Sequence, residues 1–344
     1  MGAQGTWERC MTLTWLAMQF ALCALLIARA GYVLSRSADA LAEAHGWGRG
    51  WVGLALLATV TSLPELASGI SAVALVDAPN LAVGNALGAC IVNLLFLVVV
   101  DAMQGRQPLY PAASATHLLS AGFGVVMLGF VTLSLLSGAR APAVLHVGIY
   151  SPMLLALYLL ALKSVHAHER QSLQSAKNAT PSAAAGQTHR EWRRFLLAAL
   201  VVLAAGSWLP EAADGLASAL GLSRSFVGTI LMAVVTTLPE MAVTLGALRL
   251  GALDMAIGNL LGSNLFNILI LAVGDAFYIR GPLLTDAAAV HAGTAVTALV
   301  MTGLVIIGLV MRPQGHVLRV LSWISIALVA IYVLNATLVY LAGV

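Results

Sequence analysis

Apolar runs of roughly 20 residues recur along almost the whole chain, and this constrains the fold more than any other feature. A bilayer core needs about that length of helix, and lipid satisfies no backbone polar group, so runs that cross it are helices. Composition agrees: of 344 residues, 60% are hydrophobic and only 9% are charged, with mean hydropathy +0.94, where a soluble domain is nearer a quarter charged. The expected fold is all-α and embedded in the membrane.

Hydropathy predicts ten spans, near 12–35, 50–76, 79–102, 113–137, 141–163, 195–217, 225–249, 252–275, 287–311 and 318–342. Between the fifth and sixth lies a polar, Ser/Ala-rich stretch that reads as a linker. The N-terminus offers a myristoylation-like "MGAQGT" and, at 21–31, a signal-peptide-like "ALCALLIARAG". Neither displaces the first span, whose end aligns with an internal one. Three cysteines, Cys10, Cys23 and Cys90, imply no disulfide framework. The net charge of +3 gives no reason to expect a nucleic-acid partner.

The halves resemble each other. "SADALAEAHGWGRGWVGLALLATVTSLPEL" (37–66) aligns with "AADGLASALGLSRSFVGTILMAVVTTLPEM" (212–241), pairing Asp39 with Asp214, Gly46 with Gly221, Arg49 with Arg224 and Gly53 with Gly228. One gap later, "GNALGACIVNLLFLVVVDA" (84–102) aligns with "GNLLGSNLFNILILAVGDA" (258–276). Five spans per half is an odd number, so the second half would enter the membrane upside down, as in secondary transporters. The expected organisation is a first five-helix repeat (1–163), a linker (164–194) and a second, inverted repeat (195–344). With the N-terminus outside, twelve Lys and Arg fall on inner segments and four on outer ones. The positive-inside rule then puts both termini outside and the linker in the cytoplasm; the expected location is a prokaryotic plasma (inner) membrane.

Two glutamates, Glu65 and Glu240, stand in mid-span, each behind a proline. Pro64 and Pro239 cannot return an N–H to Val60 and Val235, which loosens the helix around Ala58 and Ala233. Free carbonyls at that depth are tolerated where they are buried in protein or line a cavity. Thr61, Ser62 and Glu65 share about one turn, as do Thr236, Thr237 and Glu240, so each cluster offers hydroxyl, carbonyl and carboxylate oxygens. Those are ligands of hard cations such as Na⁺ and Ca²⁺. A carboxylate at membrane depth costs about 3 kcal/mol or more, and bearing that cost twice argues for use.

The following spans add a polar face. Asn85, Ala89 and Asn93 recur at i, i+4 and i+8, as do Asn259, Ser263 and Asn267. Asn93 and Asn267 read as ligands; Asn85, Asn259 and Asn264 read as scaffold. Gly84, Gly88, Gly258 and Gly262 read as sites of close helix packing. Asp77, Asp101, Asp254, Asp275 and Asp286 fall at span ends and read as solvated. The histidines form no i, i+4 metal pair on a predicted span.

At these motifs the chain resembles the cation/Ca²⁺ exchanger superfamily, whose Na⁺/Ca²⁺ exchangers carry two inverted repeats. The resemblance implies a secondary antiporter that moves Ca²⁺ against Na⁺ and needs no cofactor. It implies that Glu65 and Glu240 are shared by the competing ions, that Thr61, Ser62, Thr236 and Thr237 supply hydroxyls, and that Ala58 and Ala233 give main-chain carbonyls to Na⁺. Ser263 matches a family serine ligand, and Asn93 and Asn267 fall on amide or acidic positions. The chain departs from the family at Asn267, often aspartate, at Ala89, often serine, and at Val60 and Val235, usually glycine. Two glutamates neutralise one Ca²⁺ or two Na⁺. The same residues would also serve Ca²⁺/H⁺ or other cation/H⁺ exchange. An intramembrane enzyme is a remote alternative, since Ser62 has no histidine near it in sequence and HExxH is missing. The expected partners are small cations and the bilayer; no protein partner can be inferred.

Overall fold

A computed structural model describes residues 3–45, 57–104, 109–138, 142–174, 185–249, 251–314, 317 and 321–342. The long helices are α1 (Ala3–His45), α2 (Ala58–Thr61) continuing after a break into α3 (Leu63–Ala74), α4 (Pro79–Gln104), α5 (Thr116–Ser137) and α6 (Tyr150–Gln174). The second half follows with α7 (Ala185–Leu220), a π-helical segment Val227–Met232 leading into α8 (Ala233–Thr236), α9 (Leu238–Arg249), α10 (Leu253–Phe277), α11 (Val290–Met311) and α12 (Trp323–Leu341).

Among the described residues, seven helices are long and apolar enough to cross a membrane: the Leu13–Val33 part of α1, α4, α5, the His189–Leu220 part of α7, α10, α11 and α12. The broken pair Arg224–Thr236 and Leu238–Arg249, bent by 41°, makes an eighth if it is one span. The chain is an integral membrane protein. The expected span at 50–76 begins outside the described residues, as do Gly46, Arg49 and Gly53. Its described part is the short α2–α3 pair. The span expected at 141–163 starts with a hairpin, Ala143–Val144 against Val147–Gly148, before α6 sets in.

Helix also extends into much of the stretch read as linker. α6 runs through 163–174, and α7 starts at Ala185. These flanks are rich in Ala, Glu, Gln, Lys and Arg, good helix formers in water, so helix need not stop where the bilayer does. Residues 175–184 lie outside the described set.

α4 and α10, almost wholly buried, pack on each other at the centre. α5 and α11 pair on one flank, and α1 and α7 on another. Outward faces carry large apolar side chains such as Leu25, Leu133, Leu197 and Leu334, all more than half exposed and suited to lipid. Helices approach closely at Gly88 of α4: a Cβ there would lie 2.2 Å from the Thr229 carbonyl oxygen and 2.8 Å from the Ala233 Cβ. Only hydrogen fits, which bears out the packing role read for this glycine.

Two carboxylates at span ends are not solvated. Asp275, at the end of α10, is fully buried; it accepts from Gly148 N (2.8 Å), Tyr150 Oη (2.6 Å), Ser151 Oγ and Leu283 N (2.7 Å). Asp101, at the end of α4, is buried too and accepts from Ser322 N (2.8 Å) and Ser325 Oγ (2.6 Å). Each caps the start of a helix distant in sequence, α6 and α12 respectively, where unpaired N–H groups favour an anion.

Candidate functional site

The two helices that carry the glutamates break at the same place. Ser62 (φ −87°, ψ 13°) separates α2 from α3, and Thr237 (φ −81°, ψ 3°) separates α8 from α9. Both lie near the bridge region of backbone space, one residue after the threonine and two before the proline. The break is therefore slightly later than the loosening expected around Ala58 and Ala233. The carbonyls of those alanines accept hydrogen bonds: Ala58 O from Ser62 N (3.1 Å), and Ala233 O from Thr237 N (3.1 Å) and Thr237 Oγ1 (2.9 Å).

The breaks bring the motifs together at the centre. Thr61, Ser62, Glu65, Thr236, Thr237, Glu240, Asn93, Ser263 and Asn267 are all fully buried, and Ala58 and Ala233 are buried with them. Ser62 Oγ donates to Glu240 Oε1 across 2.8 Å, joining one motif directly to the other. The hydroxyls of Thr61 and Ser263 also face Glu240, and that of Thr236 faces Glu65, each beyond hydrogen-bond geometry. The two carboxylates are close enough to interact with each other.

Many oxygens in this region have no hydrogen-bonding partner: both carboxylate oxygens of Glu65, Oε2 of Glu240, Oδ1 of Asn93, Oγ of Ser263 and Oδ1 of Asn267. Buried polar atoms are rarely left so, and a cluster of orphaned oxygens is a ligand set for a hard cation. Among the described residues no three His, Cys, Asp or Glu side chains converge as a metal site, so the set is two carboxylates among neutral oxygens.

The scaffold asparagines are hydrogen-bonded. Asn85 Nδ2 donates to Ser68 Oγ (2.8 Å), and its Oδ1 accepts from Thr236 Oγ1 (3.1 Å). Asn259 Nδ2 donates to Glu240 O and to Thr244 Oγ1, both at 3.3 Å. Asn264 Nδ2 donates to Cys90 O (3.2 Å), while its Oδ1 accepts from Asn93 Nδ2 (3.1 Å), tying α4 to α10.

His291 was not singled out by the sequence. It is fully buried, neither ring nitrogen has a partner, and the buried Thr229 and Thr294 hydroxyls are also unpartnered. A Cβ at Gly84 would lie 3.0 Å from Thr229 Oγ1 and 3.2 Å from His291 Cε1. The equivalent in the first half, His117, bonds Asp254 Oδ1 at 3.0 Å instead. The repeat contained the signal: His117 and His291 keep nearly the spacing that relates the motifs.

The sequence matches the family described as sodium/calcium exchanger protein over residues 15–163 and 192–341. It is 33% identical over 244 residues to the putative antiporter CaxA of Alkalimonas amylolytica, spanning 69% of this chain and 72% of that one. The sodium/calcium exchanger MaX1 of Methanosarcina acetivorans is 25% identical over 278 residues, 71% of this chain and 77% of its own length. The fold is similar to that of the sodium-calcium exchanger NCX_Mj soaked with Na⁺ and Sr²⁺, with a TM-score of 0.65, 20% identity, and 94% and 98% of the two chains covered. Most of the sequence, through both halves, matches, and the chain belongs to the sodium/calcium exchanger protein family.

Proposed function

We propose that the chain is a secondary active antiporter that exchanges Ca²⁺ for Na⁺ by alternating access, using one site built on Glu65 and Glu240. The observation that supports this most is the pair of buried carboxylates from opposite halves, Glu240 held by Ser62 of the other half and both left with unpartnered oxygens. Two negative charges in a dry site need a compensating cation. One Ca²⁺ or two Na⁺ balances them, and the same oxygens cannot fully serve both, so the ions compete. Thr61, Ser62, Thr236, Thr237, Ser263, Asn93 and Asn267 supply the neutral oxygens, and the Ala58 and Ala233 carbonyls serve Na⁺ once their hydroxyl and amide donors turn away.

The architecture in this reading is ten spans in two inverted five-helix repeats, 1–163 and 195–344, joined by a cytoplasmic connection at 164–194, with both termini outside a plasma membrane. Support comes from contacts that recur between halves: Asp101 caps the start of α12 as Asp275 caps that of α6, and Asn80 Oδ1 accepts from Ala288 N (2.7 Å) as Asp254 Oδ1 accepts from Ser114 N (2.8 Å).

Proton coupling is the second reading, favoured by Asn267 standing where a third carboxylate would: with two carboxylates among the described residues of the site, two protons would balance it as well as two Na⁺. Ca²⁺ uptake into liposomes decides. Uptake driven by a Na⁺ gradient at clamped pH supports Na⁺ exchange; uptake driven only by a pH gradient supports H⁺ exchange and overturns the first reading.

A further inference from the structure

The halves use equivalent threonines differently. Thr236 Oγ1 donates to Oδ1 of Asn85 (3.1 Å), in the opposite half. Asn85 Nδ2 donates to Ser68 Oγ (2.8 Å), and Ser68 Oγ donates to Glu65 O (3.1 Å). This series fixes the amide: Ser68 commits its single proton to Glu65, so it must accept from Asn85, and the Asn85 oxygen is left to face Thr236.

In the other half the corresponding link is open. Asn259 directs its nitrogen at the Glu240 carbonyl, which can only accept, and its Oδ1 is buried with no partner. Thr61, which occupies the position of Thr236, instead donates to its own helix, to Leu57 O (2.9 Å) and Ala58 O (3.3 Å). Thr236 has the same retreat available, with Ala233 O at 3.4 Å. The helices are placed alike: α8 with Thr236 packs on α4 with Asn85, and α2 with Thr61 packs on α10 with Asn259. One threonine–asparagine device is thus present twice and engaged once.

We propose that Asn85 and Asn259 are positioning residues for exchange: each latches the threonine of the opposite half in one access state, with Thr236–Asn85 closed in the state seen and Thr61–Asn259 closed in the other. This rests on the alternating-access reading. An orphaned buried carbonyl oxygen is costly. Exchanging the roles of the halves moves that cost from Asn259 to Asn85 without adding to it. Two states that share one cost stay close in free energy, as a carrier that visits both requires.

The test is hydrogen exchange on the purified full-length protein without Na⁺ or Ca²⁺, read as the ratio of exchange in 57–62 to that in 227–237. Asn85→Leu releases the closed latch and populates the other state, so the ratio falls about fivefold, the effect of roughly 1 kcal/mol. Asn259→Leu deletes an acceptor used only in the other state, so the ratio rises by a similar factor. A purely structural role loosens both segments and leaves the ratio flat. Thr236→Val removes the same link from the donor side and shifts the ratio as Asn85→Leu does, which keeps the test open if that variant does not fold. Shifts of the same sign, or none, overturn the latch. Liposome flux of the unaltered protein judges antiport separately: opposite shifts without flux retain the latch and refute the antiporter, while flux with a flat ratio does the reverse.

Discussion

Ser62 of the first motif donates its hydroxyl to Oε1 of Glu240 in the second across 2.8 Å, within a fully buried setting. A residue of one half therefore orients the carboxylate of the other. A hydrogen bond to a charged group contributes about 1.5–3 kcal/mol, so Ser62→Ala is expected to raise KM for Ca²⁺ by about ten- to a hundredfold in liposome flux. Ser62→Thr, which keeps the hydroxyl, is expected to recover part of the affinity.

The two capping carboxylates are expected to differ in weight. Asp275 holds four donors and Asp101 two. Asp275→Ala strands buried donors around α6 and is expected to cost about 3–5 kcal/mol, the range for breaking a buried network. Asp101→Ala is expected to cost less. Thermal unfolding of both detergent-solubilised variants checks the order.

Packing at Gly88 allows no side chain. Gly88→Ala drives a methyl group onto the Thr229 carbonyl at 2.2 Å, forcing α4 away from the π-helical segment. Loss of transport together with a lowered melting temperature is expected. Gly122→Ala is the control: outside its own stretch of helix no atom lies within 4 Å of its added Cβ, so its stability is expected to hold or to rise slightly.

The paired and unpaired histidines give a further contrast. His291→Phe replaces a buried ring with two unpartnered nitrogens by an apolar ring, so stability is expected to hold or to increase. His117→Phe breaks the 3.0 Å contact with Asp254 and is expected to lower the melting temperature by comparison.

How much was legible depended on whether a feature was local. Glu65 and Glu240, their prolines and their neighbouring hydroxyls were readable because the motif repeats within continuous runs. The glycine packing was readable from small-residue spacing and holds at Gly88. Asp101 and Asp275 were misread as solvated because their partners arrive from Ser322 and Gly148, far along the chain, and no periodicity announces them. The hairpin at 143–148 and the helical flanks of 163–174 and 185–194 escaped because hydropathy reports membrane depth and says little about backbone conformation outside it. The asymmetry between Asn85 and Asn259 was out of reach, since both stand in the same Gly-Asn-x-Leu-Gly motif and their partners, Ser68 and Thr236 against Thr244 and the Glu240 carbonyl, are set by the packing of other helices.

The central claim is that one pair of carboxylates serves both ions. Its most direct test is Ca²⁺ flux driven by a Na⁺ gradient in liposomes carrying Glu65→Gln/Glu240→Gln protein that elutes and melts as a folded species. The expected result is no exchange above empty liposomes. Exchange at the unaltered rate would contradict the account.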